Sequence, residues 1–135
     1  KSKTVFLNEW FAVDLVKNQD GAVVGVIAIC METGETGYVK SRATVLVSPD
    51  SGPVHMATLV GLPVLGLYAA TNPARSGPYR SLAHCVDAFP RAAARFRGTT
   101  PERLPWTTKL EQPGVMDLIG VGEVCARLDA LLGSD

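Results

Sequence analysis

Along residues 1–47 the apolar positions come in short runs broken by turn residues, the pattern of β-strands. Residues 4–16 are rich in Val, Phe, Trp and Leu and predict a strand. Asn18-Gln19-Asp20-Gly21 then reads as a hairpin turn, with Gly21 free to take positive φ. Residues 23–31 predict a strongly apolar strand, Glu32-Thr33-Gly34-Glu35 a second tight turn, and residues 36–40 a short strand. Three strands on two tight turns make an antiparallel meander. Residues 43–47 are almost continuously apolar and predict a parallel strand buried on both faces, where alternation is not needed.

From residue 48 the pattern changes to alternating strand and helix. Ser48-Pro49-Asp50-Ser51-Gly52-Pro53 is a turn cluster, and residues 54–60 carry apolar side chains at helical spacing. Gly61 suits the position just past a helix end, and Pro63 follows it. Residues 64–68 predict a short strand, and residues 71–79, with Asn-Pro and Gly-Pro, an irregular loop. Residues 84–88 predict another short strand, 91–97 a short Ala/Arg helix, and 98–114 an extended loop. Positions 121, 124, 125, 128, 131 and 132 are apolar and predict a final helix over 121–132. The expected fold class is α/β. An N-terminal antiparallel β-meander joins a partial Rossmann-like parallel sheet with flanking helices, with residues 1–135 as a single folded unit.

Composition narrows the function classes. The 135 residues carry 13 Lys+Arg against 13 Asp+Glu, so formal net charge is zero. A non-specific nucleic-acid binder needs a basic excess or stripe, so no nucleic-acid partner is expected. No apolar run reaches the roughly 18 residues of a membrane span, and no basic-then-apolar leader is visible. The chain opens on Lys1 rather than Met, which suggests trimming or excision from something longer. Cys30, Cys85 and Cys125 form no CxxC pair and no metal-ligand spacing, so they read as reduced thiols of a cytoplasmic protein with no metal. His55 and His84 are too few for a histidine metal site, and no nucleophile elbow appears.

The candidate chemistry sits in one loop. The strand over 43–47 runs into Ser48–Pro53 and then a helix, and the N-terminus of a helix favours anions. Gly52 would let a phosphate approach the backbone, and Ser51 adds a hydroxyl donor. Asp50 either caps the helix or accepts hydrogen bonds from sugar hydroxyls. His55, in the first turn, either reaches the same anion or is a half-buried structural imidazole. A second loop, Thr71-Asn72-Pro73-Ala74-Arg75-Ser76-Gly77-Pro78-Tyr79, lies at the carboxyl end of the sheet, where open α/β sheets bind ligands. In it Arg75 could pair with phosphate and Thr71 donate a hydroxyl, or the loop is merely a Pro/Gly-shaped surface turn.

Ser48–Ala57, Gly61-Leu62-Pro63-Val64, Thr71-Asn72-Pro73 with Gly77-Pro78-Tyr79, and Met116-Asp117-Leu118-Ile119 resemble, in order, the C-terminal part of the glycosyltransferase family 9 enzymes, the ADP-heptose:lipopolysaccharide heptosyltransferases. The resemblance runs from Ser48 to Leu132. It implies a nucleotide-sugar site in which Ser51 and Gly52 meet the diphosphate and Asp50 the sugar or ribose. In the same carry-over His55 supports the phosphate and Thr71 lines the cleft peripherally. ADP or an ADP-sugar, weakly bound, is the implied ligand. The family's acceptor-binding domain and its general base have no counterpart, so no catalytic residue is assigned.

Residues 4–46 resemble something else. Phe6–Val16, Gly25–Cys30, Glu32–Glu35 and Lys40–Leu46 are similar to the β-meander of the FAD domain in the flavoprotein subunit of succinate dehydrogenase. In that family the last strand runs into Ala-Thr-Gly-Gly near FAD; here it runs into Val47-Ser48-Pro49-Asp50. The resemblance therefore implies no FAD and no succinate oxidation, and no cofactor is expected. The two resemblances meet near Val45–Ser48. The expected protein is an engineered or recombined chimera that keeps at most a vestigial nucleotide-sugar loop. The alternatives are a purely structural chimera and a fragment of an active heptosyltransferase. Open strand edges left by missing neighbours predict a homodimer.

Overall fold

A computed structural model describes residues 7–41 and 44–133. By backbone contacts the chain divides into two compact units, Lys1–Thr44 and Val45–Asp135. Each is taken in turn.

The first unit is a three-stranded antiparallel sheet, order β1-β2-β3, of β1 (Trp10–Lys17), β2 (Val23–Cys30) and β3 (Thr36–Lys40). The predicted turns form it. Asn18 Oδ1 accepts from the N–H of Asp20 at 3.0 Å and of Ala22 at 2.9 Å, and Gly21 takes φ 83°. A residue with a Cβ would be strained there. The second turn closes with the Gly34 N–H on the Cys30 carbonyl at 2.8 Å. β2, the central strand, buries Ala28 and Cys30. The predicted first strand begins at Thr4, but Thr4–Phe6 lie outside the described residues.

The second unit is a three-stranded parallel sheet, order β4-β5-β6, with helices after each strand. Its strands are β4 (Leu46–Pro49), β5 (Val64–Tyr68) and β6 (Val86–Asp87), and its helices α1 (Gly52–Leu59), α2 (Pro73–Ser76), α3 (Phe89–Arg97) and α4 (Val121–Leu132). β5, in the middle, is sealed on both faces: Val64, Leu65 and Tyr68 have no exposed surface. α1 ends as predicted at Gly61, which takes φ 78°. The Gly61 N–H bonds the Thr58 carbonyl at 3.2 Å and the Leu62 N–H the Ala57 carbonyl at 2.9 Å, a paired closure that uses two orphan carbonyls.

Several expectations change. The strand expected over 43–47 runs instead over Leu46–Pro49, and Ala43 lies outside the described residues. Ser48 and Pro49, expected in a turn, extend it. β4 is the sheet's edge and pairs only with β5, and an edge strand tolerates a residue without an N–H. For the same reason it is not buried on both faces; Val47 is 42% exposed. The loop expected over 71–79 contains α2, because Asn72 Oδ1 caps it on the Ala74 N–H at 2.9 Å and Pro73 starts it. Of residues 84–88 only Val86–Asp87 are strand, since the backbone before them closes a 3₁₀ turn over Leu82–His84. α3 begins at Phe89, with Pro90 in a first turn that needs no N–H from it.

The stretch predicted as an extended loop, 98–114, folds back over the carboxyl ends of the strands. Two contacts hold it: the Leu110 N–H bonds the Ala70 carbonyl at 2.8 Å, and Leu110 is fully buried among Ala69, Ala88, Phe89, Ala92 and Val115. α4 is more peripheral. None of its residues is buried, and it is tied on by Glu123 to Arg91 at 2.8 Å and by Arg127 to the Ala83 carbonyl at 3.3 Å. Leu110→Ala removes the side chain that joins this segment to the core. It should lower the unfolding free energy by about 2–5 kcal/mol, read as a lower denaturation midpoint in urea.

Candidate functional site

Two strand ends meet in the second unit. β4 ends at Pro49 and β5 at Tyr68, and the residues just past them face one another. Asp50 Oδ2 accepts the Thr71 hydroxyl at 2.8 Å and the Ser76 hydroxyl at 2.6 Å. Both are short hydrogen bonds to a carboxylate, the stronger kind. Thr71 is only 7% exposed, so its hydroxyl would be costly to leave unpaired. Ser76 is in turn held from beneath: the buried Tyr68 hydroxyl donates to the Ser76 carbonyl at 3.1 Å. Burial, with a smaller contribution from the Asp50 charge, pushes the Tyr68 phenol well above its usual range, so it stays a donor. Asp50 thus clasps the β4–α1 connection to the β5–α2 connection.

The clasp forms one wall of a cavity of about 210 Å³ at the carboxyl end of the parallel sheet. Pro49, Asp50 and Thr71 line it from the strand ends, and Lys109, Glu111 and Met116 from the segment folded over them. That is the place where open α/β sheets receive ligands. The volume is below the roughly 300–1,000 Å³ of whole-ligand pockets, so it has room for one portion of a larger ligand.

The α1 N-terminus stands beside Asp50 in sequence but outside that cavity's lining. Ser51, the N-cap, has φ −157° and makes no side-chain cap. Its hydroxyl instead lies 2.9 Å from that of Ser48. The Gly52 N–H takes no partner among the described residues, Pro53 has none to give, and the Val54 N–H bonds the Ser51 carbonyl at 3.2 Å. Gly52 and His55 are exposed. A Cβ added at Gly52 would meet nothing within 4 Å, so that flank of the backbone is open to an incoming group.

Of the sequence-selected residues, Asp50 and Thr71 therefore meet directly. Ser51, Gly52 and His55 share the helix start, while Arg75 lines no part of the cavity. Its Nε is buried without a hydrogen-bond partner among the described residues. Ser76, Lys109 and Glu111 escaped sequence reasoning. The Ser76 hydroxyl follows Asn-Pro by a helical turn, a spacing that points it where Thr71 points, but nothing local marks its partner. Among the described residues no cluster of His, Cys, Asp or Glu could hold a metal ion.

Comparison with known proteins places the chain in a family. The sequence pattern of glycosyltransferase family 9 (heptosyltransferase) matches residues 13–104. The chain belongs to glycosyltransferase family 9. It is 41% identical over 91 residues to the lipopolysaccharide core heptosyltransferase OpsX of Haemophilus influenzae, covering 67% of this chain and 26% of that protein. It is 31% identical over 100 residues to lipopolysaccharide heptosyltransferase 1 of Pseudomonas aeruginosa, covering 70% of this chain and 28% of that one. The chain thus spans about a quarter of the length of these relatives. A further similarity, 40% over 55 residues, is to the succinate dehydrogenase flavoprotein subunit of Coxiella burnetii, covering 41% of this chain and 9% of that protein. Both resemblances read from the sequence are found in these relatives.

Thr71→Val keeps the shape and removes the donor to Asp50. It should cost about 1–3 kcal/mol of stability, as for a hydrogen bond lost in a buried setting, and Thr71→Ser should recover most of that. Urea denaturation followed by circular dichroism measures both.

Proposed function

We propose that the second unit is the nucleotide-sugar-binding part of a heptosyltransferase-like glycosyltransferase, with ADP or an ADP-sugar as a weak, saturable ligand. The observation that carries this reading is the open start of α1 beside the Asp50 clasp. Gly52 offers an N–H and an unobstructed flank, Ser51 a hydroxyl and His55 an exposed imidazole, which together suit a diphosphate. Lys109, in the neighbouring cavity, supplies a cation on the same side of the sheet. Asp50 Oδ2 is committed to Thr71 and Ser76, so Oδ1 is the oxygen left for a sugar or ribose hydroxyl. Glycosyl transfer also needs a base at the acceptor hydroxyl. We assign none, and read this portion as a binding unit rather than a transferring one. Three free cysteines suit a reducing, cytoplasmic setting, and no described helix is long and apolar enough to cross a membrane.

A second reading is that the chain joins a flavoprotein-derived meander to a transferase-derived half-domain and binds no ligand. The flavoprotein similarity favours it, as does the division of the fold at Thr44/Val45, close to the Val45–Ser48 stretch read from the sequence as the join. In either case we propose self-association as a homodimer through the β4 edge. Val47, Met56, Leu59 and Val60 are exposed on β4 and α1, and Leu59 is 86% exposed.

Isothermal titration with ADP separates the readings. The first predicts saturable heat that Asp50→Ala removes and that Gly52→Val blocks without unfolding the chain, since the added side chain enters open space. No heat at millimolar ADP would leave the purely structural reading. Light scattering after size exclusion tests the dimer; a monomer at tens of micromolar chain refutes it.

A further inference from the structure

The opposite end of the parallel sheet carries a cavity of about 360 Å³. It opens where β5 and β6 begin, away from the Asp50 clasp. Thr58 and Leu62 reach it from the end of α1, and Pro63 leads from there into β5. Arg80, Ser81 and His84 come from the turns that precede β6, and Leu131 from the last turn of α4. The volume lies within the roughly 300–1,000 Å³ of whole-ligand pockets.

The polar lining is one-sided. Arg80 and His84 are basic, and no described residue that lines the cavity is acidic. Neither basic side chain is paired with another group among the described residues. Ser81 is only 6% exposed, and its hydroxyl accepts the Val64 N–H at 3.4 Å, which leaves its own hydrogen to donate. A further cation stands nearby: Arg127, one turn before Leu131 on α4, donates to the Ala83 carbonyl at 3.3 Å, next to His84. The carboxyl end of a helix ordinarily repels an anion. At α1 that end is largely closed, because the Met56, Ala57 and Thr58 carbonyls each take a backbone N–H. The Thr58 hydroxyl spends its hydrogen on the Val54 carbonyl at 2.9 Å and is no donor to a ligand.

The rest of the lining is apolar, with Leu62, Pro63 and Leu131 in it. A planar guanidinium fork beside an imidazole and a hydroxyl suits a carboxylate, and the apolar wall suits an uncharged body behind it. We propose that this cavity binds a small organic carboxylate with an apolar body. Its carboxylate lies on Arg80, His84 and Ser81, and its body against Leu62, Pro63 and Leu131. Such a ligand touches α1, the start of β5 and α4 at once. α4 buries none of its own residues, so occupancy braces it against the sheet. The site shares no residue with the nucleotide reading, and failure of either leaves the other standing.

Isothermal titration of the full chain with hexanoate tests the site. Saturable binding in the millimolar range is expected. Hexan-1-ol, which lacks the charge, and acetate, which lacks the body, should each bind about tenfold more weakly or less. Arg80→Ala should weaken hexanoate about tenfold, and Arg80→Lys, which keeps the charge without the fork, should recover only part of that. Arg80 is exposed, so both variants should keep the wild-type circular dichroism. If they do not, His84→Gln, also expected to weaken hexanoate, decides instead. Arg103→Ala, at an exposed arginine outside this cavity, should change nothing. Saturating hexanoate should slow hydrogen exchange of the α4 amides. Undiminished binding in the folded Arg80→Ala chain, an equal loss in Arg103→Ala, or no saturation at all overturns the proposal. Hexan-1-ol or inorganic phosphate binding as tightly as hexanoate overturns the ligand class, and unchanged exchange in α4 overturns the bracing.

Discussion

The second unit turns on one carboxylate oxygen. Asp50 Oδ2 takes the hydroxyls of Thr71 and Ser76 at 2.8 and 2.6 Å, and so joins the loop after β4 to the loop after β5. A parallel sheet fixes the strands side by side but leaves the connections at their carboxyl ends to find their own positions. Here a charge sits just past the end of the edge strand, and two hydroxyls sit three and eight residues past Tyr68, the end of the central strand. The hydrogen bonds set the separation of the two loops, and the cavity behind them follows from it. Asp50 in this role is a positioning residue.

The clasp has support from below and above. Below it, fully buried Tyr68 fixes the Ser76 backbone from the end of β5. Above it, Leu110 anchors the folded-over segment on the Ala70 carbonyl and brings Lys109 and Glu111 to the cavity mouth. The same segment carries Glu102 and Trp106 to another cavity, lined by Asn72 and Phe89. One long irregular stretch therefore builds walls for both hollows, and the β5–α2 connection runs between them.

Much of the architecture was legible because the local signals were strong and agreed. Asn18 and Gly21 make the hairpin turn, Gly61 ends α1, and the apolar runs of β5 and α4 have the right period and length. The β4 boundary was not legible, because Ser48 and Pro49 look like turn residues and only the strand's place at the sheet edge admits them. Asn72-Pro73 carried the signal of a helix start and was overlooked amid the glycines and prolines around it. At the site, Asp50 and Thr71 could be chosen from their place after strands. Ser76 could not, because its place depends on α2 and on the Tyr68 hydroxyl beneath it; nor could Lys109, Glu111 and Trp106, whose segment is placed by a backbone hydrogen bond between Leu110 and Ala70, forty residues apart in sequence.

The claim that the clasp couples the two loops is tested most directly by a double-mutant cycle on Asp50→Ala and Ser76→Ala, with unfolding free energies measured in urea. If the carboxylate and the hydroxyl act as one unit, the two losses overlap and the coupling is about 1–3 kcal/mol. Losses that simply add, to within about 0.5 kcal/mol, would contradict the account.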